Sequence, residues 1–154
     1  MAAHYRGVRS NSISKISIAS DHAGFEYKEL IKSHLESKGI LVKDCGTDST
    51  EPVDYAKFIR VAAQAVASGN CSHGIILGGS GNEAIVANRL KGIRCAVVWS
   101  DRTAQLSKEH GNCNMIGIGQ RMMTQEQAIS IVDQWLNAKF KGGRHQRRID
   151  QIDS

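Results

Sequence analysis

The sequence predicts an α/β fold, a three-layer sandwich in which one parallel sheet of five strands lies between two layers of helices. Apolar runs of strand length alternate along the 154 residues with segments of helical period. Two of those helical segments end at a glycine, Gly39 and Gly69, and glycine is the usual residue just past a helix C-terminus. Strand–helix alternation requires crossover connections, which make neighbouring strands parallel.

The first half of the chain contains two predicted strands and two predicted helices. The run KISIAS at 15–20 is the first strand, and residues 23–38 follow with apolar residues at helical spacing. The run ILVKDC at 40–45 is the second strand. A loop leads from it to a helix from about Tyr55 to Ser68.

The second half contains three further strands, each followed by a helix. The predicted strands are 74–78, 93–99 and 114–119, and the predicted helices are about 82–90, 102–109 and 125–140. Within the fourth strand the run Ala96-Val97-Val98-Trp99 is apolar throughout, which predicts a strand buried on both faces. No internal repeat or low-complexity segment interrupts the single domain expected over residues 15–154, which includes a basic C-terminal segment.

Residues 1–14 are predicted to be a disordered N-terminal extension. They contain Arg6, Arg9 and three serines, with no acid and no apolar centre. A secretory signal is therefore not expected, and a faint likeness to an organelle transit peptide is the alternative to a plain extension. No apolar stretch of the sequence approaches the roughly 18 residues of a membrane span, so no membrane partner is expected.

The positive charge of the chain is concentrated in two segments. The formal net charge is +5, of which the extension contributes +2 and a C-terminal cluster another +5, leaving −2 for the rest; the cluster is Lys139, Lys141, Arg144, Arg147 and Arg148. A nearly neutral body with one basic cluster favours a local anionic ligand. A nucleic-acid partner is not expected, since no zinc-finger spacing or other nucleic-acid motif is present.

The four cysteines indicate the compartment. Cys45, Cys71, Cys95 and Cys113 are widely spaced and form no C-x-x-C pair. This pattern fits reduced thiols in a cytoplasmic protein better than a disulfide framework or a zinc site.

Polar residues follow four of the predicted strands. In a parallel sheet of this kind a ligand binds beyond the carboxyl ends of the strands. The candidates there are Ser20 to His22, Gly78 to Glu83, Ser100 with Asp101, and Gly119 to Arg121. We expect them to converge at one rim of the sheet.

The glycine-rich turn after the third strand admits two interpretations. Gly79-x-Gly81-x-x-Ala84 satisfies a relaxed dinucleotide-binding pattern, with Asp101 as the acid for a ribose. Alternatively, the glycines let backbone amides approach a substrate oxygen and stabilise an enediolate. In that case Glu83 moves a proton between adjacent carbons, and Ser80 either hydrogen-bonds a sugar hydroxyl or relays a proton.

Motifs along most of the chain resolve this choice. They are SDHAGFEYK at 20–28, DCGT at 44–47, GGSGN at 78–82, IVANR at 85–89, KEHGNCNMIGIGQR at 108–121 and GGRHQRRID at 142–150. With these motifs the chain resembles the type B ribose-5-phosphate isomerases of the RpiB/LacAB sugar-phosphate isomerase family, from residue 15 to about 151. The resemblance implies a Rossmann-like five-stranded sheet and a homodimer with active sites at the subunit interface, and it leaves further pairing of dimers open. It implies no metal and no cofactor.

The resemblance also implies roles for single residues. Glu83 would be the base that transfers a proton between C2 and C1, and Gly78 occupies the position of the catalytic cysteine of the family's other branch. His110 would open the furanose ring. The residues that would contact the sugar or hold its C1 and C2 oxygens are Asp21, His22, Tyr55, Gly79, Ser80, Gly81 and Asn82. Arg121, Arg144 and Arg148 would bind the phosphate, since arginine binds phosphate in a bidentate manner.

Three departures from the family pattern stand out. The turn reads GGSGNE where the glutamate branch reads GGSGNGE, so one glycine is missing between Ser80 and Glu83. The asparagine expected after the ring-opening histidine is Gly111, and Asn112 is the candidate to replace it. The proline expected after Asp-Tyr is Ala56.

The sequence therefore predicts reversible isomerisation of D-ribose 5-phosphate and D-ribulose 5-phosphate through a cis-enediolate, a reaction of the pentose phosphate pathway. Two alternatives stay open. In the first alternative the substrate is a six-carbon sugar phosphate such as allose 6-phosphate or galactose 6-phosphate. The distance from the phosphate-binding arginines to the base sets the length of sugar that the site accepts. In the second alternative the shortened turn has left a protein that binds a sugar phosphate without turning it over.

Overall fold

The computed structural model describes residues 12–154. Five strands form one parallel sheet in the order β2-β1-β3-β5-β4. The strands are β1 (Lys15–Ser20), β2 (Leu41–Asp44), β3 (His73–Gly78), β4 (Cys95–Val97) and β5 (Met115–Gly119). The helices are α1 (Phe25–Ser37), α2 (Ala56–Ala67), α3 (Ala84–Ala87), α4 (Asp101–Glu109), α5 (Gln125–Asn137) and α6 (Arg144–Ile149), and short 3₁₀ turns cover His22–Gly24 and Gln120–Met122.

Helices cover both faces of the sheet, so the predicted three-layer α/β architecture is confirmed. One core cluster joins the sheet to α1, α4 and α5 through side chains such as Ile31, Ala104 and Trp135. The other joins it to α2 and α3 through side chains such as Ile59 and Ala87. Burial of these two apolar layers is the main favourable contribution to the stability of the fold.

The β4 strand differs from its prediction. It lies at the edge of the sheet and covers three residues, where the sequence predicted a buried strand over 93–99. Val98 is buried, whereas Val97 is 37% and Trp99 63% exposed. Cys95 belongs to the core cluster of α2 and α3 and Val98 to the cluster of α1, α4 and α5, so both faces of this edge strand are partly covered, whereas Val97 and Trp99 near its carboxyl end are not.

Two helices are shorter than predicted. The α3 helix covers four residues, and hydrogen-bonded turns on either side of it occupy most of the rest of 82–90. The α5 helix ends at Asn137 because Ala138 adopts an extended conformation, with ψ at 151°, so residues 138–140 do not continue it.

The N-terminal extension expected over residues 1–14 lies mostly outside the described residues. Of the described part, Ile13 packs against the core cluster of α1, α4 and α5, and the Ser14 amide donates to Ser72 Oγ over 3.0 Å. No helix within residues 12–154 is long and apolar enough to cross a membrane.

Candidate active site

The three central strands bring their carboxyl-terminal loops together. Because β1, β3 and β5 are adjacent and parallel, the segments that follow Ser20, Gly78 and Gly119 meet at one rim. The rim group consists of Asp21, His22, Tyr55, Gly79 to Glu83, and Arg121. The rim is the place where sheets of this topology bind ligands.

Glu83 is the central residue of the rim group. It is only 6% exposed and lies directly before α3. Within residues 12–154 only two buried side-chain polar atoms have no hydrogen-bond partner, Glu83 Oε1 and Ser20 Oγ, and both lie at this rim. An unpartnered buried carboxylate oxygen is costly for stability, so its retention favours a functional role.

The backbone at Gly78 makes room for this carboxyl group. A Cβ atom added at Gly78 would overlap the Glu83 carboxyl carbon and both of its oxygens. The Glu83 carboxyl therefore fills the space that a side chain at the end of β3 would need. The turn between them has Gly81 at a φ of +92°, a conformation that a residue with a side chain rarely adopts.

The surroundings of Glu83 favour its protonated form. Burial raises the pKa of Glu83 above the value of an ordinary carboxyl, and the nearby Asp21 carboxylate raises it further. Backbone amides of Glu83 and Gly81 act in the opposite direction without cancelling the rise. A carboxyl whose pKa is shifted towards neutrality can both accept and return a proton.

Asp21 and His22 are held by short local contacts. Asp21 Oδ1 accepts hydrogen bonds from the amides of Ala23 and Gly24, at 2.9 and 3.1 Å. His22 Nδ1 accepts one from the Val53 amide at 3.2 Å. Since Nδ1 is an acceptor, the proton of the neutral imidazole is on Nε2, which is then a hydrogen-bond donor for a ligand oxygen.

The loop before α2 lies beside His22. His22 borders an open cavity of about 450 Å³ whose other lining residues are Pro52, Val53, Asp54, Lys57 and Phe58. Tyr55, next in the chain to this lining, is 39% exposed at the start of α2. This loop therefore places Tyr55 close to the rim without burying its ring.

The glycine turn contacts the end of β5. Arg121 donates its backbone amide to Gly79 O over 3.1 Å, and its guanidinium lies so close that a Cβ at Gly79 would be 3.1 Å from Nη1. Ser80 is exposed, and its Oγ accepts from the Asn82 amide at 3.4 Å, which leaves the hydroxyl proton available. The turn thus presents a hydroxyl and a guanidinium beside Glu83.

The remaining predicted site residues form a second group at the opposite end of the sheet. The distal group consists of His110, Asn112, Arg144 and Arg148. The segment that carries His110 and Asn112 enters β5 at its amino end, and Gly74 at the start of β3 bonds to Asn114 O over 2.9 Å. The rim group follows the other end of the same strands.

Several contacts hold α6 against this segment. The His110 and His145 rings stack with centroids 4.3 Å apart, and Lys141 forms an ion pair with Glu109 at 2.9 Å. Further along, Asp153 Oδ2 accepts from the Gly92 amide at 2.8 Å. Arg144 and Arg148 both lie on α6 and are exposed, and a spacing of four residues puts them on one side of the helix.

The loop after His110 has little freedom. A Cβ at Gly111 would lie 2.9 Å from Ser107 O, so this backbone leaves no room for the asparagine of the family pattern. Asn112 follows with a φ of +43°. Arg94 holds the loop by donating Nε to Gly111 O at 3.0 Å and Nη2 to Asn112 O at 2.7 Å. No sequence pattern indicated this role of Arg94.

The strands separate the two groups within one chain. The five residues of β5 span about 16 Å at about 3.3 Å per residue, and the groups lie beyond its opposite ends. One chain therefore does not bring Glu83 together with His110, Arg144 or Arg148, although the sequence motifs nominated all of them for one site.

Two other sequence candidates have structural roles. Ser100 caps α4 through a hydrogen bond from the Thr103 amide at 3.1 Å, and Asp101 Oδ1 accepts from Ser130 Oγ at 2.8 Å. Asp101 thus links the start of α4 to α5 through Ser130.

The motif residues Lys28 and Asp44 form an ion pair that sequence reasoning left without a role; Lys28 is buried, whereas Asp44 is partly exposed to solvent. Lys28 Nζ lies 2.7 and 2.8 Å from the two oxygens of Asp44. Burial raises the pKa of Asp44, but bonds from Lys28, the Gly46 amide and Lys32 outweigh it and hold the pKa below its usual value. The pair ties α1 to the end of β2 beside the rim.

Comparison with known proteins gives consistent matches over nearly the whole described chain. The family model described as Ribose/Galactose Isomerase matches residues 16–152. The ribose-5-phosphate isomerase B of Mycolicibacterium paratuberculosis is 48% identical over 139 residues, which cover 88% of this chain and 87% of that protein.

Solved structures agree with these sequence matches. A ribose 5-phosphate isomerase from Thermotoga maritima matches with a TM-score of 0.89 and 45% identity over 91% of this chain and 97% of that chain. The ribose-5-phosphate isomerase B from Mycoplasma genitalium, with bound ribulose-5-phosphate, matches with a TM-score of 0.86 and 40% identity over 90% and 93% of the two chains.

Proposed function

Since the chain belongs to the ribose/galactose isomerase family, we propose that it interconverts D-ribose 5-phosphate and D-ribulose 5-phosphate. The observation that carries this proposal is the buried carboxyl of Glu83, with one oxygen left without a partner, beside a glycine turn and His22. Relatives at 40–48% identity carry the corresponding name, and one of them binds ribulose-5-phosphate.

Glu83 transfers the proton between the two carbons. In the open-chain aldose, the ionised carboxylate removes the proton from C2, and the bonding electrons form a C1–C2 double bond with the negative charge on O1. The amides of the glycine turn stabilise this enediolate. Glu83 then returns its proton to C1 while the O2 hydroxyl proton moves to O1, which leaves a carbonyl at C2.

Other members of the rim group orient the sugar. The Nε2–H of His22 donates to a sugar oxygen, and the free hydroxyl proton of Ser80 binds O1 or O2 or relays the proton between them. Asp21 accepts from a sugar hydroxyl, and Tyr55 and Asn82 border the substrate. Arg121 supplies a cation at the same rim.

A second copy of the chain completes the site. His110, Asn112, Arg144 and Arg148 carry the ring-opening and phosphate-binding chemistry but lie at the far end of their own sheet. A homodimer in which the distal group of one copy meets the rim group of the other brings all of them to one substrate, and association of two dimers into a tetramer is compatible with it.

Exposed apolar side chains near the rim support this arrangement. Ile85 is 59%, Trp99 63% and Met122 66% exposed, and each follows the carboxyl end of a strand. Single exposed apolar residues are ordinary, but a group around a candidate site is typical of a covered surface.

We propose a cytoplasmic enzyme of the pentose phosphate pathway that works without metal or cofactor. The unpaired state of Cys45, Cys71, Cys95 and Cys113 fits a reducing compartment. The chemistry above needs only side chains and backbone amides of this chain.

Formation of ribulose 5-phosphate from ribose 5-phosphate by the purified protein, with a metal chelator present, tests this function. We expect chelator-resistant turnover, and we expect Glu83→Gln to lower kcat by about 10²–10⁴-fold with the melting temperature retained. Full activity of that variant would remove Glu83 as the base.

The same assay separates the two alternatives, of which the family description supports the first by including galactose. A higher kcat/KM for allose or galactose 6-phosphate would make a six-carbon sugar the substrate. Binding of ribose 5-phosphate without exchange of its C2 proton would identify a protein that binds but does not isomerise.

A further inference from the structure

A cavity at the amino-terminal end of the sheet shares only Asn112 with the residues of the proposed reaction. It has a volume of about 560 Å³ and lies where β3 begins and α5 ends. Its lining is Ser12, His73, Lys108, Asn112 and the segment 136–140. Neither His110 nor the arginines of α6 line it, so it is separate from the phosphate-binding part of the distal group.

Lys108 is the residue of this cavity that most needs an explanation. It is only 5% exposed, and its Nζ lies 5.0 Å from the centroid of the Trp135 ring. Among the residues that the structure describes, no acidic side chain lines the cavity, and Lys108 has no ion pair. A lysine this deeply buried without an acidic partner is unusual, because buried charges are normally paired. Its Nζ is not among the buried atoms that lack a partner, so it is reachable from the cavity.

The neighbouring Glu109 does not compensate this charge. Its carboxylate pairs with Lys141 at 2.9 Å, away from the cavity lining. Lys139, which is exposed, adds a second cation to the lining. Among the described residues that line the cavity, the charged side chains are therefore both positive, Lys108 and Lys139.

Two further ionisable groups near Lys108, His73 and Cys113, are neutral at physiological pH. Burial lowers the pKa of His73 to about 4, and burial raises the pKa of Cys113 to about 11. Burial also lowers the pKa of Lys108 itself to about 8. The ammonium thus predominates at neutral pH although its surroundings disfavour it.

The remaining lining is divided between polar and apolar groups. Asn112 contributes an amide beside Lys108, whereas Leu136, Ala138 and Phe140 form a partly buried apolar wall. A cation and an amide donor suit a carboxylate, and the wall suits a short hydrocarbon tail.

We propose that this cavity binds a small organic carboxylate, with the carboxylate on Lys108 and the tail against Leu136 and Phe140. The ligand supplies the counter-charge that the described residues do not. This site shares Asn112 with the distal group, but it uses none of the rim group, and its main contact, Lys108, belongs to neither group.

Calorimetric titration of the full-length protein with butyrate, at constant ionic strength, tests the proposal. We expect saturable binding near neutral pH. Lys108→Met retains the apolar stem over Trp135 but removes the charge, and we expect about tenfold or greater loss of affinity. Lys91→Met, at an exposed lysine outside the cavity, is the matched control and leaves affinity unchanged.

Two further measurements keep the proposal testable if Lys108→Met does not fold. The affinity of the wild-type protein for butyrate is expected to fall as the pH rises above 8, because Lys108, whose pKa burial lowers to about 8, loses its charge there. His73, which also lines the cavity and has its pKa lowered to about 4, does not titrate in this range, and the exposed Lys139 is the other charged side chain of the lining. Equal affinity for butyrate and 1-butanol, or no dependence on pH between 7 and 9, would overturn the proposal.

Discussion

The buried carboxyl of Glu83 lowers the stability of the fold, and the same burial suits it to proton transfer. Its carboxyl fills the space left by Gly78, its Oε1 has no partner among the described residues, and burial raises its pKa. The sequence identified the residue through the turn motif. It did not show that the carboxyl is buried against β3, because that packing depends on the neighbouring strands.

The raised pKa of Glu83 predicts the acid side of the pH profile. The base must be ionised, so kcat/KM is expected to fall as the pH drops through a pKa above that of an ordinary carboxyl, about 4.3. The folded protein binds this proton more tightly than the unfolded chain, so this titration does not lower stability. Rates and circular dichroism measured over the same pH range check both statements.

Asp21→Asn is the matched variant for this profile. It keeps the Oδ1 acceptor for the amides of Ala23 and Gly24 and removes the charge that raises the pKa of Glu83. The acid limb is expected to move to lower pH. An unchanged limb in this variant would show that the Asp21 charge does not act on the base.

At the scale of elements, the β3 strand, the glycine turn and α3 form one unit. The missing glycine does not open the turn, since the amides of Ala84 and Ile85 bond to Gly81 O at 3.1 Å and Asn82 O at 3.0 Å. The sequence could locate the deletion but not its effect, because the effect depends on how the turn packs against β3 and β5. Glu83 reaches Gly78 with the shorter turn.

A side chain at the end of β3 is expected to displace the base. In Gly78→Ala the new Cβ overlaps the Glu83 carboxyl, and a displacement of about 1 Å costs on the order of 100-fold in rate. Overpacking also costs about 1–3 kcal/mol of the free energy of unfolding. Steady-state kinetics and urea unfolding measure the two effects.

The double variant Gly78→Ala with Glu83→Ala is the control for this interpretation. It removes the group with which the new Cβ collides, so stability is expected to recover relative to Gly78→Ala alone, while activity stays low. If Gly78→Ala alone keeps the wild-type kcat/KM, the Glu83 carboxyl does not need the space at Gly78.

Sequence patterns predicted the strands and helices more accurately than the exposure of their side chains or the residues at which they end. All five strands and the helices α1 to α5 follow from periodicity, because each element needs one apolar face, whereas periodicity did not predict α6. The exposure of Val97 and Trp99 could not be predicted, since it depends on β4 being an edge strand. The early end of α5 at Asn137 depends on backbone geometry at Ala138 that no local signal announces.

For the whole molecule, the separation of the rim and distal groups is the main finding. Sequence motifs nominate residues for a site without saying which copy of the chain supplies them, so this division required the sheet topology. The buried core explains why a single chain cannot close the distance: the strands that separate the groups are the centre of the fold.

Complementation between two inactive variants tests the composite site most directly. Glu83→Gln disables the rim group, and Arg144→Met with Arg148→Met disables the distal group. Co-expressed at equal levels, the two chains form half heterodimers with one intact site each, so about a quarter of wild-type activity is expected. Activity no higher than that of either variant alone, with heterodimers demonstrated by differently tagged chains, would contradict the account.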